Sequence, residues 1–192
     1  MILLDFTGIA MMNIFSFTKR KDMSHETLRH GILNTIRSYN TKYRDKYGRL
    51  IVCCDNRTWR KKVYPEYKAL RGKARAKSDV DWDTAFEHLN SIKNDLIEFF
   101  PYPVLDVEHA EADDIIGVLT KSTQTFGQHE DVMIISADKD FVQLQKFGNV
   151  KQFSPMTRKA IADNNPTHNL FEHILRGDTG DGVPNVLSPD NT

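Results

Sequence analysis

The densest chemistry in the sequence lies in Ala110-Glu111-Ala112-Asp113-Asp114-Ile115-Ile116-Gly117-Val118-Leu119, where three carboxylates open an apolar segment of helical period. Glu111 and Asp114 are three apart and share a helix face, whereas Asp113 lies off that stripe and leans across the helix end. The positive end of a helix dipole favours anions, but about half a charge cannot hold three carboxylates together. Crowded carboxylates raise one another's pKa or bind a cation. Taken alone, the run reads equally as an acidic first turn.

Other acids end other apolar runs. Met1-Ile2-Leu3-Leu4-Asp5-Phe6 and Leu50-Ile51-Val52-Cys53-Cys54-Asp55 read as buried strands, each closing in an Asp. Val104-Leu105-Asp106-Val107 is a third strand, and it leads into the acidic helix. Val132-Met133-Ile134-Ile135-Ser136 is a fourth and runs into Asp138-Lys139-Asp140, where a short helix over Phe141 to Lys146 begins. Asp5 is not expected to cap a helix, because the residues after it stay apolar. A Gly-rich turn, Arg176-Gly177-Asp178-Thr179-Gly180-Asp181-Gly182-Val183-Pro184, adds Asp178 and Asp181. Any one strand-end Asp is commonly a cap or turn former. Acids at four strand ends are harder to assign to turns alone. Parallel sheets gather functional groups at the carboxyl ends of their strands. A pocket of oxygen donors without His or Cys suits Mg²⁺ or Mn²⁺. Two such ions about 3.5–4 Å apart activate a water and stabilise a leaving oxygen at a phosphodiester.

The elements that position these acids follow from periodicity. Leu28, Ile32, Ile36 and Tyr39 predict a helix from about Ser24 to Lys46, capped by Ser24 and followed by Gly48. Phe86, Leu89, Ile92 and Leu96 predict another from Asp81 to about Phe99, ended by Pro101 and Pro103. Val150–Phe153 is expected to be the last strand, and a last helix is expected over roughly Thr167 to Leu175. Buried strands separated by helices predict an α/β fold with a parallel sheet.

The 192 residues allow one domain with a substantial core. A hydrophobic content of 40% with 27% charged residues is that of an ordinary globular chain. No apolar run has the length of a membrane span, and no signal-peptide pattern opens the chain. Cys53 and Cys54 are adjacent on a strand and point to opposite faces, which suits neither a disulfide nor zinc and fits a reducing compartment. The 26 basic residues balance 26 acidic ones, but they are segregated. Between residues 57 and 77 lie Arg57, Arg60, Lys61, Lys62, Lys68, Arg71, Lys73, Arg75 and Lys77, against Glu66 alone. Trp59, Tyr64 and Tyr67 are interleaved with them. A basic run is often only a solvated face. Cations for phosphates together with rings for bases or sugars make a nucleic-acid surface the stronger reading.

In these residues the chain resembles the flap endonuclease (5′-nuclease) family, its bacteriophage 5′→3′ exonucleases in particular. The resemblance rests on Leu3-Leu4-Asp5, Trp59-Arg60, Tyr67-Lys68-x-x-Arg71-Gly72-Lys73, Glu111-Ala112-Asp113-Asp114, Ser136-Ala137-Asp138-Lys139-Asp140-Phe141 and Gly177-Asp178-x-x-Asp181, in that order. It implies a PIN-like (resolvase-like) parallel sheet flanked by helices, with a basic helical arch at about 57–80 that passes a single-stranded 5′ end. It implies two Mg²⁺ ions, replaceable by Mn²⁺, shared among Asp5, Asp55, Glu111, Asp113, Asp114, Asp138 and Asp140, with Asp178 and Asp181 completing the second position. Lys68 and Arg71, one turn apart on one helix face, match the arch cations that reach the scissile phosphate and join Asp138 as catalytic residues. Arg57, Trp59, Arg60, Lys61, Tyr67, Lys73 and Arg75 would complete the nucleic-acid surface.

The implied activity is phosphodiester hydrolysis that leaves a 5′-phosphate and a 3′-hydroxyl. Its substrates would be DNA with 5′ flaps or single-stranded 5′ ends and RNA–DNA hybrids, in replication, repair or RNA primer removal. The enzyme is expected to be a monomer in the cytosol of a host cell, free of membranes, with a replication single-strand-binding or clamp protein as an allowed partner. Residues 1–186 would form the catalytic domain and 187–192 a tail. The family's helix-hairpin-helix element and C-terminal duplex grip would be lacking. After the last Asp the family pattern usually has Asn and later Gly, where this chain has Gly182 and Asn185. Three alternatives remain on the residues alone. They are a small PIN-type ribonuclease on single-stranded RNA, a binding protein that needs a partner for activity, and a metal-dependent phosphatase of another α/β fold.

Overall fold

The computed structural model describes residues 1–20, 22–125 and 129–188. Strands β1 (Ile2–Asp5), β2 (Leu50–Cys54), β3 (Val104–Asp106), β4 (Val132–Ile135), β5 (Val150–Ser154) and β6 (Lys159–Ile161) form one sheet in the order β3-β2-β1-β4-β5-β6. All neighbours are parallel except β5 and β6. The chain thus leaves β1 for β2 on one side and reaches β4 on the other. The crevice between β1 and β4 is the topological switch point, where α/β sheets bind ligands.

Helices cover both faces, which is why the central strands are apolar without alternation. Ile2, Leu4, Val52, Cys54, Met133 and Ile135 face α1 (Phe6–Thr18), α2 (His25–Tyr47) and α5 (Trp82–Phe99). Leu3, Cys53, Ile134 and Val132 face α6 (Ala112–Thr125) and the 3₁₀ turn Lys139–Lys146. The two cysteines therefore point to opposite faces as expected, and burial raises both thiols, Cys54 to about 12. Each fully buried Ile or Leu in these layers contributes about 1.5–3 kcal/mol.

Ser24 caps α2 through the Thr27 N–H and Asp81 caps α5 through the Thr84 N–H, as the sequence implies. Three expectations are corrected. Asp5 does cap a helix: α1 begins at Phe6, and the Gly8 N–H donates to Asp5 Oδ1 at 2.8 Å. A Cβ on Gly8 would lie 2.6 Å from the Asp5 carboxylate, so only glycine permits this approach. The Phe153 strand is not the last, because β6 pairs with it antiparallel. Lys68 does not share a helix face with Arg71, because it precedes α4 (Ala69–Ala76) in a left-handed conformation, φ 57°. The last helix, α7, spans Pro166–Arg176, and most of the tail expected over 187–192 falls outside the described residues.

Candidate active site

Asp5, Asp55 and Asp138 stand at the carboxyl ends of β1, β2 and β4, and Asp113 lies in the first turn of α6 above them. Local bonds aim each strand-end acid. Asp5 accepts from Gly8 N–H and from Ser136 Oγ, both at 2.8 Å. Asp55 accepts from Ala112 N–H at 2.7 Å, which ties the end of β2 to the start of α6. Asp138 accepts from Asp140 N–H at 2.9 Å. Below it, the buried Gln152 amide donates to the Ser136 and Asp138 carbonyls and holds the loop after β4.

These four acids form no ion pair among the described residues. Burial pushes Asp113 up to about 8, and the charges of Asp5, Asp138 and Asp55 add to it. Burial likewise raises Asp5 to about 6 against its two hydrogen bonds, and Asp55 and Asp138 contribute. A crowd of oxygen donors that repel one another favours a proton or a cation between them. Among the described residues, however, no three His, Cys, Asp or Glu side chains converge closely enough to enclose a metal ion as they stand.

Glu111, Asp114 and Asp181 have a different fate from that of the unpaired four. The buried Glu111 accepts from Arg60 Nη1 at 2.9 Å, Tyr67 Oη at 2.8 Å and Lys68 Nζ at 2.7 Å. Burial alone would raise Glu111, but these bonds and the Lys68 and Arg60 charges hold it below the usual range. Asp114 takes both Arg60 nitrogens, at 2.9 and 2.8 Å, and accepts from Glu111 N–H at 3.0 Å. Burial opposes the shift there too, yet Arg60 wins and Asp114 is depressed. Asp181 binds Arg71. As the site stands, these three acids anchor the basic segment rather than open onto a cation position.

That segment consists of α3 (Arg60–Val63) and α4. Neither helix buries a residue, and Lys61, Lys62, Lys73 and Arg75 are exposed to solvent, as is Arg57 before them. The left-handed backbone of Lys68 costs about 1–3 kcal/mol and persists only where its surroundings fix it. Here its N–H donates to the Asp181 carbonyl at 2.9 Å while its ammonium holds Glu111. Between this roof and helices α1 and α5 lies a cavity of roughly 840 Å³. Asp55, Lys68, Arg71 and Glu111 supply charged lining of both signs, and Phe15, Trp82 and Phe86 form an aromatic floor. A smaller cavity of roughly 360 Å³ contains Asp113, Asp140 and Asp181.

Sequence reasoning missed several contributors. His173 on α7 lies 3.5 Å from Asp140 and 3.6 Å from Asp178, bridging two acids thought to ligate. Burial and then Asp138 raise Asp140, and His173 partly offsets them. Ser136 and Gln152 aim the site without having been singled out. Asp106, a fourth strand-end acid, is paired with Lys93 and accepts a further hydrogen bond from the Asn56 amide. Polar residues beside the motif acids were the available signal for Ser136; nothing local marked Gln152 or His173.

Comparison with known proteins gives a consistent picture. The model of the 5′-3′ exonuclease N-terminal resolvase-like domain matches residues 1–172. Ribonuclease H of Enterobacteria phage T4 is 37% identical over 192 residues, 96% of this chain and 62% of that protein. A 5′-3′ exonuclease of Buchnera aphidicola subsp. Schizaphis graminum is 28% identical over 82% of this chain and 54% of its own length. This chain thus spans little more than half to about three-fifths of these relatives. The T5 D15 protein co-crystallised with metal ions superposes with a TM-score of 0.72 at 20% identity, over 98% of this chain and 70% of that one. The T5 D15 flap endonuclease in a pseudo-enzyme-product complex with DNA and metal ions gives the same score at 22% identity, with the same coverage. These last two likenesses carry the fold, a mostly parallel sheet flanked by helices, as the residue pattern implies.

Proposed function

Because the chain belongs to the family of 5′-3′ exonuclease N-terminal, resolvase-like domains, we propose that it is a divalent-metal-dependent 5′-nuclease. It hydrolyses phosphodiesters in DNA and RNA–DNA hybrids at single-stranded 5′ ends. One observation carries this reading: Asp5, Asp55, Asp113 and Asp138, which form no ion pair among the described residues, gather at the carboxyl edge of the sheet, and Asp55 lines a cavity that the cations Lys68 and Arg71 also line. A pure binding protein gains nothing from carboxylates that repel phosphate.

The donor set fits Mg²⁺ or Mn²⁺. Asp5, Asp55, Asp113 and Asp138 offer only oxygen, and burial, with the neighbouring carboxylates adding to it, raises Asp113 and Asp5. Asp140 and Asp178 would serve a second position, which Asp181 would join only on release from Arg71. When bound, such ions supply an activated water and charge stabilisation at the leaving oxygen. The protein's own residues do the rest. Lys68 and Arg71 project from the roof to clamp negative charge as it develops on the phosphate. Arg57, Lys61, Lys73 and Arg75 meet the phosphates that follow, and Trp59 with the cavity floor offers ring faces to unstacked bases. Arg60 is set apart from the strand contacts, since both its ends are spent on Glu111 and Asp114.

The test is cleavage of 5′-labelled flap DNA beside single-stranded RNA, at low salt, with Mg²⁺, with Mn²⁺ and with chelator. Short products from the flap in either metal, with none in chelator, are expected. Cleavage of RNA alone would favour a small ribonuclease, and binding without cleavage in any metal would refute the enzyme.

A further inference from the structure

We propose that Tyr64 and Gly182 are positioning residues that lock the base of the basic roof to the acidic Gly-rich turn, so that Lys68 and Asp181 are placed together. The inference rests on the nuclease reading of the same site and assigns a role that the catalytic acids and cations do not fill.

Four bonds join the two segments across more than a hundred residues of sequence. Tyr64 Oη donates to the Gly182 carbonyl at 2.8 Å. Lys68 N–H donates to the Asp181 carbonyl at 2.9 Å. Arg71 binds the Asp181 carboxylate and reaches the Gly180 carbonyl at 3.4 Å. The turn itself is closed by the Asp178–Val183 bridge and by Gly180 and Asp181 N–H bonds to the Asp178 carboxylate. It therefore acts as a small rigid block. Gly182 sits at φ 76°, and a Cβ there would stand 2.9 Å from the Glu66 carbonyl oxygen. That carbonyl accepts from Ala69 N–H at the first residue of α4. Contact at Gly182 thus bears directly on the start of the helix that carries Arg71. Elsewhere the roof buries no residue of α3 or α4, so its placement depends on such tethers. A nucleophile or phosphate clamp displaced by about 1 Å can lose about 10²-fold in rate.

The experiment compares wild type, Tyr64→Phe, Gly182→Ala and the control Gly48→Ala. Gly48 has a similar positive φ, 77°, with nothing within 4 Å of its Cβ, so it tests a positive-φ substitution without the contact. Limited trypsin digestion reads release of the Lys- and Arg-rich roof and requires no nuclease activity. Steady-state flap cleavage then separates kcat from KM. Gly182→Ala and Tyr64→Phe are expected to speed cleavage between residues 57 and 77 severalfold and to lower kcat by about 10-fold or more, with KM within about twofold. Gly48→Ala is expected to match wild type in both. If roof digestion in Tyr64→Phe and Gly182→Ala equals that of Gly48→Ala, the lock is overturned, whatever the activity. An inactive wild type with accelerated digestion in both variants would sink the nuclease reading and leave the lock standing.

Discussion

Arg60 separates two accounts of the basic segment, one in which it touches phosphate and one in which it holds the segment down. The substitution is Arg60→Met, which keeps the stem beside Trp59 and Tyr67, whose rings lie 5.0 and 5.8 Å from the guanidinium. It deletes three charge-assisted bonds, one to Glu111 and two to Asp114. Removing one partner of a buried pair costs about 3–5 kcal/mol, whereas an exposed pair is worth about 0–1 kcal/mol. The site lies between these limits. Glu111 is only 7% exposed but keeps Lys68 and Tyr67, and Asp114, at 26%, regains water and keeps the Glu111 N–H. About 2–3 kcal/mol follows, which for a chain of this size lowers Tm by about 4–12 °C. The assay is thermal unfolding in chelator at 0.1 and 1 M salt, with flap affinity measured beside it. The loss should persist at high salt, since the bonds are largely shielded from solvent. A Tm within about 2 °C of wild type, with affinity reduced and the salt slope lower by about 1, would refute this reasoning and return Arg60 to the phosphate contacts.

Asp138→Asn should abolish metal-dependent cleavage while flap binding, measured by anisotropy, holds or tightens, because one repelling charge leaves the site; cleavage at the wild-type rate would exclude Asp138 from ion binding. Lys68→Ala should lower kcat by about 10²-fold or more with little change in affinity, and a change in KM alone would make Lys68 a strand contact only. The pH dependence of stability follows from Asp5 and Asp113. Their folded values, about 6 and about 8, lie above those of the unfolded chain, so the folded state binds more protons between about pH 4 and 8. Stability of the chelated protein should therefore fall as pH rises through that window, with the Asp113 share still being lost between 6 and 8. Mg²⁺ or Mn²⁺ should lessen the fall, and Asp113→Asn should flatten it; a Tm in chelator that rises from pH 6 to 8 would contradict the crowding of these acids.

The parts of the fold visible in sequence are those set by local pattern. Strands buried on both faces read as apolar runs, and α2 and α5 announce themselves through caps and a 3.6-residue stripe. By contrast α1 is apolar on nearly every side, with Phe6, Ile9, Ala10 and Ile14 buried, so it shows no stripe and Asp5 is not seen as its cap. Strand β6 has three residues at a polar edge and little hydrophobic signal. The acids were legible as a set because strand ends are legible. Their division was not. Arg60 meets Glu111 and Asp114 over sequence gaps of 51 and 54 residues, and Arg71 meets Asp181 over 110. Spacing along the chain holds no record of such partners. Nor does it record that Lys68 adopts a left-handed backbone.

That division has a physical consequence for how the site is built. Seven acids near one crevice would repel severely if all were alike, and the protein spends three of them on its own cations. Glu111, Asp114 and Asp181 fix the roof through Arg60, Tyr67, Lys68 and Arg71, and Glu111 and Asp114 are held below the usual carboxylate range by those partners. Asp5, Asp55, Asp113 and Asp138 form no ion pair among the described residues, and on this sheet side burial and neighbouring carboxylates raise Asp5 and Asp113. The same roof residues would otherwise compete with a divalent ion for these four. Pairing Lys68 with Glu111 keeps its ammonium beside the site, where it lowers Asp113 only slightly, rather than inside it. Under the proposed nuclease reading, a phosphate in the cavity would offer Lys68 a second anion, and turning toward it would leave no unpaired charge behind, since Glu111 retains Arg60 and Tyr67.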